Sequence, residues 1–197
     1  MKKNISFASD HIPINVIKKD YFLEIIGYKN NVQTDNIAHI IQTIYFYHDL
    51  IIQARLEKEL VSNLCRIFII LSYSAIEALV VVAGHKLQAA CYHCDKNPND
   101  ARCTIIKDEL HAFQLADKFL TKHKILNFST AASKFYKEFR ETRNEVHIIK
   151  SRHVISRHPR FNVDYCKLSV QFLQEFVKML KDNTQEFLRL NRCRTNL

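Results

Sequence analysis

The amino-acid sequence predicts an all-α protein: a bundle of four or five helices that follows a short irregular or partly stranded N-terminal extension. Two observations support this prediction. The chain of 197 residues contains only 2 glycines and 3 prolines, whereas a sheet protein with many tight turns would need more of both. Apolar residues also recur at three- and four-residue spacing through most of the sequence, which is the period of an amphipathic helix.

The N-terminal extension is predicted to comprise residues 1–33, and the helical domain residues 34–197. In the extension, the short apolar stretches INVI and YFLEIIGY alternate with Lys and Asn and show no sustained helical period. Five helices are predicted beyond it, over about residues 35–60, 62–92, 104–122, 130–149 and 164–190. Their starts are indicated by residues suited to helix capping: Thr34 or Asp35, Ser62, Thr104, Ser129 or Thr130, and Asp164.

Two features of the sequence favour a cytoplasmic protein with reduced cysteines. The start MKKNISFASDHIPINV lacks the apolar run of a secretory signal. The one long apolar run, Ile67 to Ala83, is short for a membrane crossing and contains Glu77, so a buried core helix is the better interpretation. The net charge of +9, with 29 Lys and Arg against 20 Asp and Glu, favours a polyanionic partner without identifying it.

Four polar residues of the segment FYKEFRETRNEVHII share one side of the fourth predicted helix. Arg140, Arg143, Asn144 and His147 are three, one and three residues apart, so at roughly 100° per residue they form one stripe. An imidazole can move the proton of an RNA 2′-hydroxyl, and guanidinium groups can bind the phosphate and its developing charge. Asn144 can orient the imidazole or donate to a phosphate oxygen. We therefore predict catalysis of RNA cleavage without a metal.

The same spacing also fits a solvated ion-pair face, because glutamates at 138, 141 and 145 lie close by. Glu77 bears on this choice. A carboxylate in an otherwise apolar helix is costly unless it is paired, so we expect an arginine of the fourth helix to be its partner. Glu77 is therefore predicted to support the site.

The run FRETRNEVHI, preceded in the chain by the helix ILSYSAIEALVVVA, resembles the HEPN domain, a four- or five-helix module of prokaryotic defence and toxin proteins. The resemblance spans about residues 36–190. Members carry an arginine, often followed by a polar residue such as asparagine, then four to six intervening residues and a histidine. Arg143 is followed by Asn144 but has three residues before His147, whereas Arg140 has six and is followed by Glu141. Either arginine could take the motif role.

The resemblance implies a metal-independent endoribonuclease that acts as a homodimer, with an arginine and a histidine from each subunit in one composite cleft. A toxin or antiphage-defence role, with an antitoxin or defence-system protein as partner, would follow. The alternative is a non-catalytic module of the same fold that binds nucleic acid or acts as a scaffold. The short spacing before His147 is compatible with either.

A basic loop directly follows the fourth helix, where its cations could hold an RNA backbone without reading its sequence. The residues are Lys150, Arg152, His153, Arg157, His158 and Arg160. The alternative for this loop is a solvated, mobile segment.

Cys91, Cys94 and Cys103 form a C-x2-C-x8-C pattern that could bind zinc with a nearby histidine. A strong zinc pattern needs two matched CxxC pairs, so reduced thiols and no cofactor are the favoured interpretation. A zinc-stabilised interaction protein is the third functional alternative. Cys65 and Cys166 are predicted to be core residues.

Overall fold

Five α-helices form the part of the protein that a computed structural model describes, residues 32–53, 58–92, 112–145 and 159–190. In chain order they are α1 (Val32–Gln53), α2 (Lys58–Tyr92), α3 (Phe113–Lys122), α4 (Thr130–Glu145) and α5 (Val163–Leu190). No strand occurs within these ranges, so the all-α prediction is confirmed there. Residues 1–31 of the predicted extension lie outside the described residues.

α2 is the central helix and packs against each of the other four described helices. Its Tyr73 side meets α3 and α4, where the Tyr73 ring lies 6.5 Å from Phe113 and 5.5 Å from Phe139. On another side Phe68 lies 6.2 Å from His48 of α1. This central position explains why the sequence of α2 is apolar nearly all round. Cys65 and Cys166 are buried, as predicted.

Aromatic rings join α4 to α5 and fix the orientation of α4. Phe135 lies 5.1 Å from Phe172, and Phe139 lies 6.2 Å from Tyr165. The buried seam of α4 follows the predicted three- and four-residue spacing through Ala132, Phe135, Phe139 and Thr142. Because this seam faces the core, the polar residues that flank it are turned toward the surface.

Two predicted helix starts differ from the structure. α2 is described from Lys58 onward, so Leu60 belongs to α2 and Ser62 is a buried residue within that helix, not its cap. α3 begins only at Phe113, because Ala112 has extended backbone angles of φ −95° and ψ 134°.

The N-terminal starts of α4 and α5 agree better with the predictions from the sequence. Ser129 Oγ accepts a hydrogen bond of 3.2 Å from the backbone N–H of Ala132, which confirms the predicted cap of α4. At α5 the capping residue is Asn162, whose Oδ1 accepts from the N–H of Tyr165 at 2.9 Å. Asp164 lies within the first turn of that helix.

α2 contains a stretch, Leu60–Leu87, that is long and apolar enough to cross a membrane. Within the described part of the chain it is the one helix with this property, and 61% of its apolar window is buried inside the protein. That degree of burial is typical of the core helix of a soluble bundle as well.

α1 buries a histidine. His48 is 1% exposed beside Phe68, whereas the apolar Leu50 two positions later is 37% exposed. Among the described residues neither ring nitrogen has a hydrogen-bond partner, and the Asp49 carboxylate oxygen lies 3.6 Å from Nδ1. Burial lowers the pKa of His48 below its usual 6.5, although the Asp49 carboxylate opposes this shift.

Because the folded protein holds His48 neutral, acid should weaken the fold. Below about pH 6.5 the unfolded chain gains a proton on this ring that the folded chain resists, so stability falls as the pH drops toward the lowered pKa. His48→Leu should raise stability by about 1–3 kcal/mol at neutral pH and flatten the decline in acid. Thermal unfolding between pH 7.5 and 5 measures both effects. The exposed His39→Leu is the control, and an equal acid dependence in the His48 variant would contradict the prediction.

Candidate functional site

The Arg143 guanidinium is held in place by contacts with α2 and with its own helix. Its Nη2 donates to Glu77 Oε2 at 2.8 Å and its Nη1 donates to Asn144 Oδ1 at 3.0 Å. Its Cζ lies 5.7 Å from the centre of the Tyr73 ring. The predicted pairing of Glu77 with an arginine of the fourth helix is therefore present, and it selects Arg143.

The Glu77–Arg143 ion pair is partly shielded from solvent, with side-chain exposures of 26% and 29%. At this burial the charges attract more strongly than on an open surface, and the loss of either partner leaves the other in a poorly hydrated place. Arg143 thus has its charge largely neutralised by the protein itself. A guanidinium held in this way is suited to fixing the orientation of the side chains that it contacts, such as Asn144.

Glu77→Ala should lower the free energy of unfolding by about 1–3 kcal/mol, because Arg143 would lose its carboxylate in a half-buried place. A double-mutant cycle with Arg143→Met should give a coupling energy of about 1–2 kcal/mol in urea unfolding. The exposed i,i+4 pair Lys134–Glu138, with a 3.9 Å separation, is the matched control and should give under about 0.5 kcal/mol. Equal coupling energies in the two pairs would contradict the inference that the Glu77–Arg143 pair is shielded from solvent.

Arg140 differs from Arg143 in being exposed. Its Cζ lies 5.7 Å from the centre of the Phe113 ring of α3, a cation–π contact that leaves the donor N–H groups of the guanidinium accessible. Within the described part of the chain Arg140 forms no ion pair with a carboxylate. Of the two arginines, Arg140 is therefore the one whose charge can attract an anion.

A partly buried carboxyl, that of Asp117, lies between α3 and α4 and interacts with the Arg140 charge. Asp117 Oδ1 accepts a hydrogen bond of 2.8 Å from the Tyr136 hydroxyl. Burial raises the pKa of Asp117 above its usual range, against the opposing effects of this hydrogen bond and of the Arg140 charge. Burial also raises the pKa of Tyr136. The Tyr136 hydroxyl therefore stays protonated and fixes the carboxyl that faces Arg140.

Thr142 connects the stripe to the start of α5. Its Oγ1 donates to the backbone carbonyl of Glu138 at 2.7 Å and accepts from Arg160 Nη1 at 2.9 Å. The Tyr165 hydroxyl lies 3.4 Å from the same oxygen, and burial raises the pKa of Tyr165 to about 12. Arg160, the last residue of the predicted RNA-binding loop, is thus bound to α4.

Several predicted site residues lie outside the described residues. They are His147 and the loop residues Lys150, Arg152, His153, Arg157 and His158. Cys94 and Cys103 of the zinc pattern also lie outside them, so zinc binding at Cys91, Cys94 and Cys103 stays a prediction. Among the residues that are described, no group of three or more His, Cys, Asp or Glu is placed to hold a metal ion.

Comparison of the chain with protein-family models, curated proteins and solved structures found no match. The resemblance to HEPN domains accordingly stays a prediction from the residues.

Four residues lie around Arg140 and Arg143, and we call the surface that they form with these arginines the arginine groove: Tyr73, Phe113, Asp117 and Tyr136. The sequence did not indicate these four residues as part of a site. Three are aromatic residues at helical spacing, which is what a core also requires, so nothing in the pattern separates the two roles. For Asp117 the sequence gives only a weak indication of a role in a site. It is an acidic residue between Ala116 and Lys118 in a short amphipathic helix, and its partner Tyr136 is 19 positions away in the sequence.

Proposed function

We propose that this protein is a metal-independent endoribonuclease of a toxin or antiphage-defence system that cleaves cytoplasmic RNA through a composite Arg/His site at a homodimer interface. The observation that carries the proposal is the division between the two arginines. Arg143 is neutralised by Glu77, whereas Arg140 presents an exposed guanidinium without an ion pair in the described part of the chain.

This division favours Arg140 for the motif role. Arg140 precedes His147 by seven positions, with six residues between them, which is the spacing of the HEPN motif. On a continuous helix seven residues make about two turns, so both side chains would lie on the same side. Arg143 and Asn144, which hold each other, then act as positioning residues beside them.

The chemistry that these residues suit is transfer of the phosphoryl group to the neighbouring 2′-oxygen. His147 accepts the proton of the 2′-hydroxyl, that oxygen attacks the phosphorus, and the bond to the 5′-oxygen breaks. The products are a 2′,3′-cyclic phosphate and a protonated 5′-hydroxyl. Arg140 stabilises the negative charge that grows on the non-bridging oxygens. One stripe supplies a single imidazole, so a second copy of the chain would supply the acid that protonates the leaving oxygen.

The test is a cleavage assay on single-stranded RNA with a chelator present. We expect 2′,3′-cyclic phosphate ends, and no cleavage of the same oligonucleotide carrying 2′-O-methyl groups, because the attacking hydroxyl is then absent. Size measurement in solution should give a dimer. Cleavage that stops in chelator, or that proceeds on the 2′-O-methyl strand, would contradict the mechanism.

The second candidate is a non-catalytic nucleic-acid-binding or scaffold module, which could also hold an acidic antitoxin. The Glu77–Arg143 pair favours it, because one of the two guanidiniums is already neutralised. This function predicts RNA binding that weakens steeply with salt and leaves the RNA intact.

A further inference from the structure

A small cleft between α2 and α5 carries polar groups that the arginine site does not use. Its volume is about 30 Å³, and the apolar part of its wall is formed by Leu79, Val82, Ala83, Val177 and Leu180. Lys86, Lys181 and Thr184 complete the lining. No carboxylate lines this cleft in the described part of the chain.

The polar groups of the cleft lack partners. Lys86 is only 9% exposed and forms no ion pair within the described helices, and Thr184 is 4% exposed with its Oγ1 free of any hydrogen bond there. Burial lowers the pKa of Lys86, and the nearby charge of Lys181 lowers it further. The Thr184 hydroxyl is a buried group without a hydrogen-bond partner among the described residues, and the charges of Lys86 and Lys181 repel each other, so an anion between them would relieve both effects.

The cleft is separate from the arginine groove. Lys86 follows Glu77 by nine residues, which is a rotation of roughly 180° around α2 at 100° per residue. A ligand here would not contact Arg140 or Arg143. The inference therefore does not depend on the proposed nuclease activity.

We propose that the cleft between α2 and α5 binds a small oxyanion, a phosphate or carboxylate group, through the Lys86 and Lys181 ammonium groups and the Thr184 hydroxyl. Lysine binds such groups as a point charge, and the threonine hydroxyl donates one hydrogen bond. The volume suits the anionic group alone, since it is only a few times the minimum for one water molecule. The apolar end of an aliphatic carboxylate would pack against lining residues such as Leu79 and Val82.

Thermal unfolding of the full chain tests the proposal with inorganic phosphate, methyl phosphate and butyrate, each against chloride at equal ionic strength. At ten times the dissociation constant the melting temperature should rise by roughly 3–6 °C. A response to the phosphates alone identifies a phosphate site, and a response to butyrate alone a carboxylate site. No rise with any of the three would overturn the proposal.

Variants separate this cleft from other basic surfaces. Lys86→Met keeps the length of the side chain and removes the charge, so it should melt above the parent without anion and gain nothing from it. Thr184→Val should lose most of the gain. Lys178→Met on α5 and Lys137→Met on α4, both at exposed lysines outside the cleft, should keep it in full. An undiminished gain in the Lys86 variant would overturn the proposal, because the anion would then bind elsewhere.

Discussion

His147→Ala should lower the rate of RNA cleavage by about 10²–10⁴-fold. General acid–base catalysis typically contributes that much, and alanine can neither accept nor donate the proton. RNA affinity and melting temperature should stay close to those of the parent, because the substitution removes proton transfer and not the cationic surface. Single-turnover cleavage rates between pH 5 and 8 measure the effect. The parent should show a dependence on pH near neutrality that the variant lacks.

The matched control for His147 is His39→Ala, a change at an exposed histidine of α1 away from the stripe. It should cleave at the parental rate. If the His147 variant cleaves as fast as this control while both remain folded, the imidazole has no catalytic role.

Arg140→Ala should lower the cleavage rate by about 10²–10³-fold, the usual cost of removing one preorganised donor to the developing charge. Its melting temperature should change little, because the side chain is exposed and contacts mainly the Phe113 ring. Arg140→Lys should recover part of the rate, since it keeps the charge and loses the planar donor geometry. Cleavage rates and thermal unfolding of the same preparations separate these effects.

Arg143 and Arg189 provide the comparison for Arg140. Arg143→Ala leaves Glu77 unpaired and should reduce stability as well as activity, whereas the exposed Arg189→Ala on α5 should change neither. Should Arg140→Ala cleave normally and Arg143→Ala alone be inactive, the assignment of the motif role to Arg140 is wrong.

The helices could be predicted from the sequence because their apolar residues follow the helical period over long stretches. α2 could be recognised as central because Ile69, Ile76 and Val80 widen its apolar surface beyond one stripe. The start of α2 could not be placed, because Ser62 has the chemistry of a cap residue but lies buried inside that helix. The burial of His48 could not be predicted either, because the rotation of a helix about its own axis is set by tertiary packing.

Of the candidate site, the sequence predicted the ion pair of Glu77 but not which arginine is its partner. Glu77 could be paired with an arginine because an isolated carboxylate in an apolar helix needs a cation. Which arginine it selects could not be predicted, since Arg140 and Arg143 are three positions apart and face nearly the same way. The contacts that distinguish them, from Tyr73 on α2 and Phe113 on α3, depend on how three helices pack.

The central position of α2 also bears on how the bundle comes apart. Each of the other described helices covers part of the surface of α2, so none can detach without exposing apolar side chains of α2 to water. Such an arrangement favours melting in one all-or-none step over stepwise loss of single helices. A substitution that destabilises α2 would then destabilise the arginine groove and the cleft between α2 and α5 together, although these two sites lie on opposite sides of the helix.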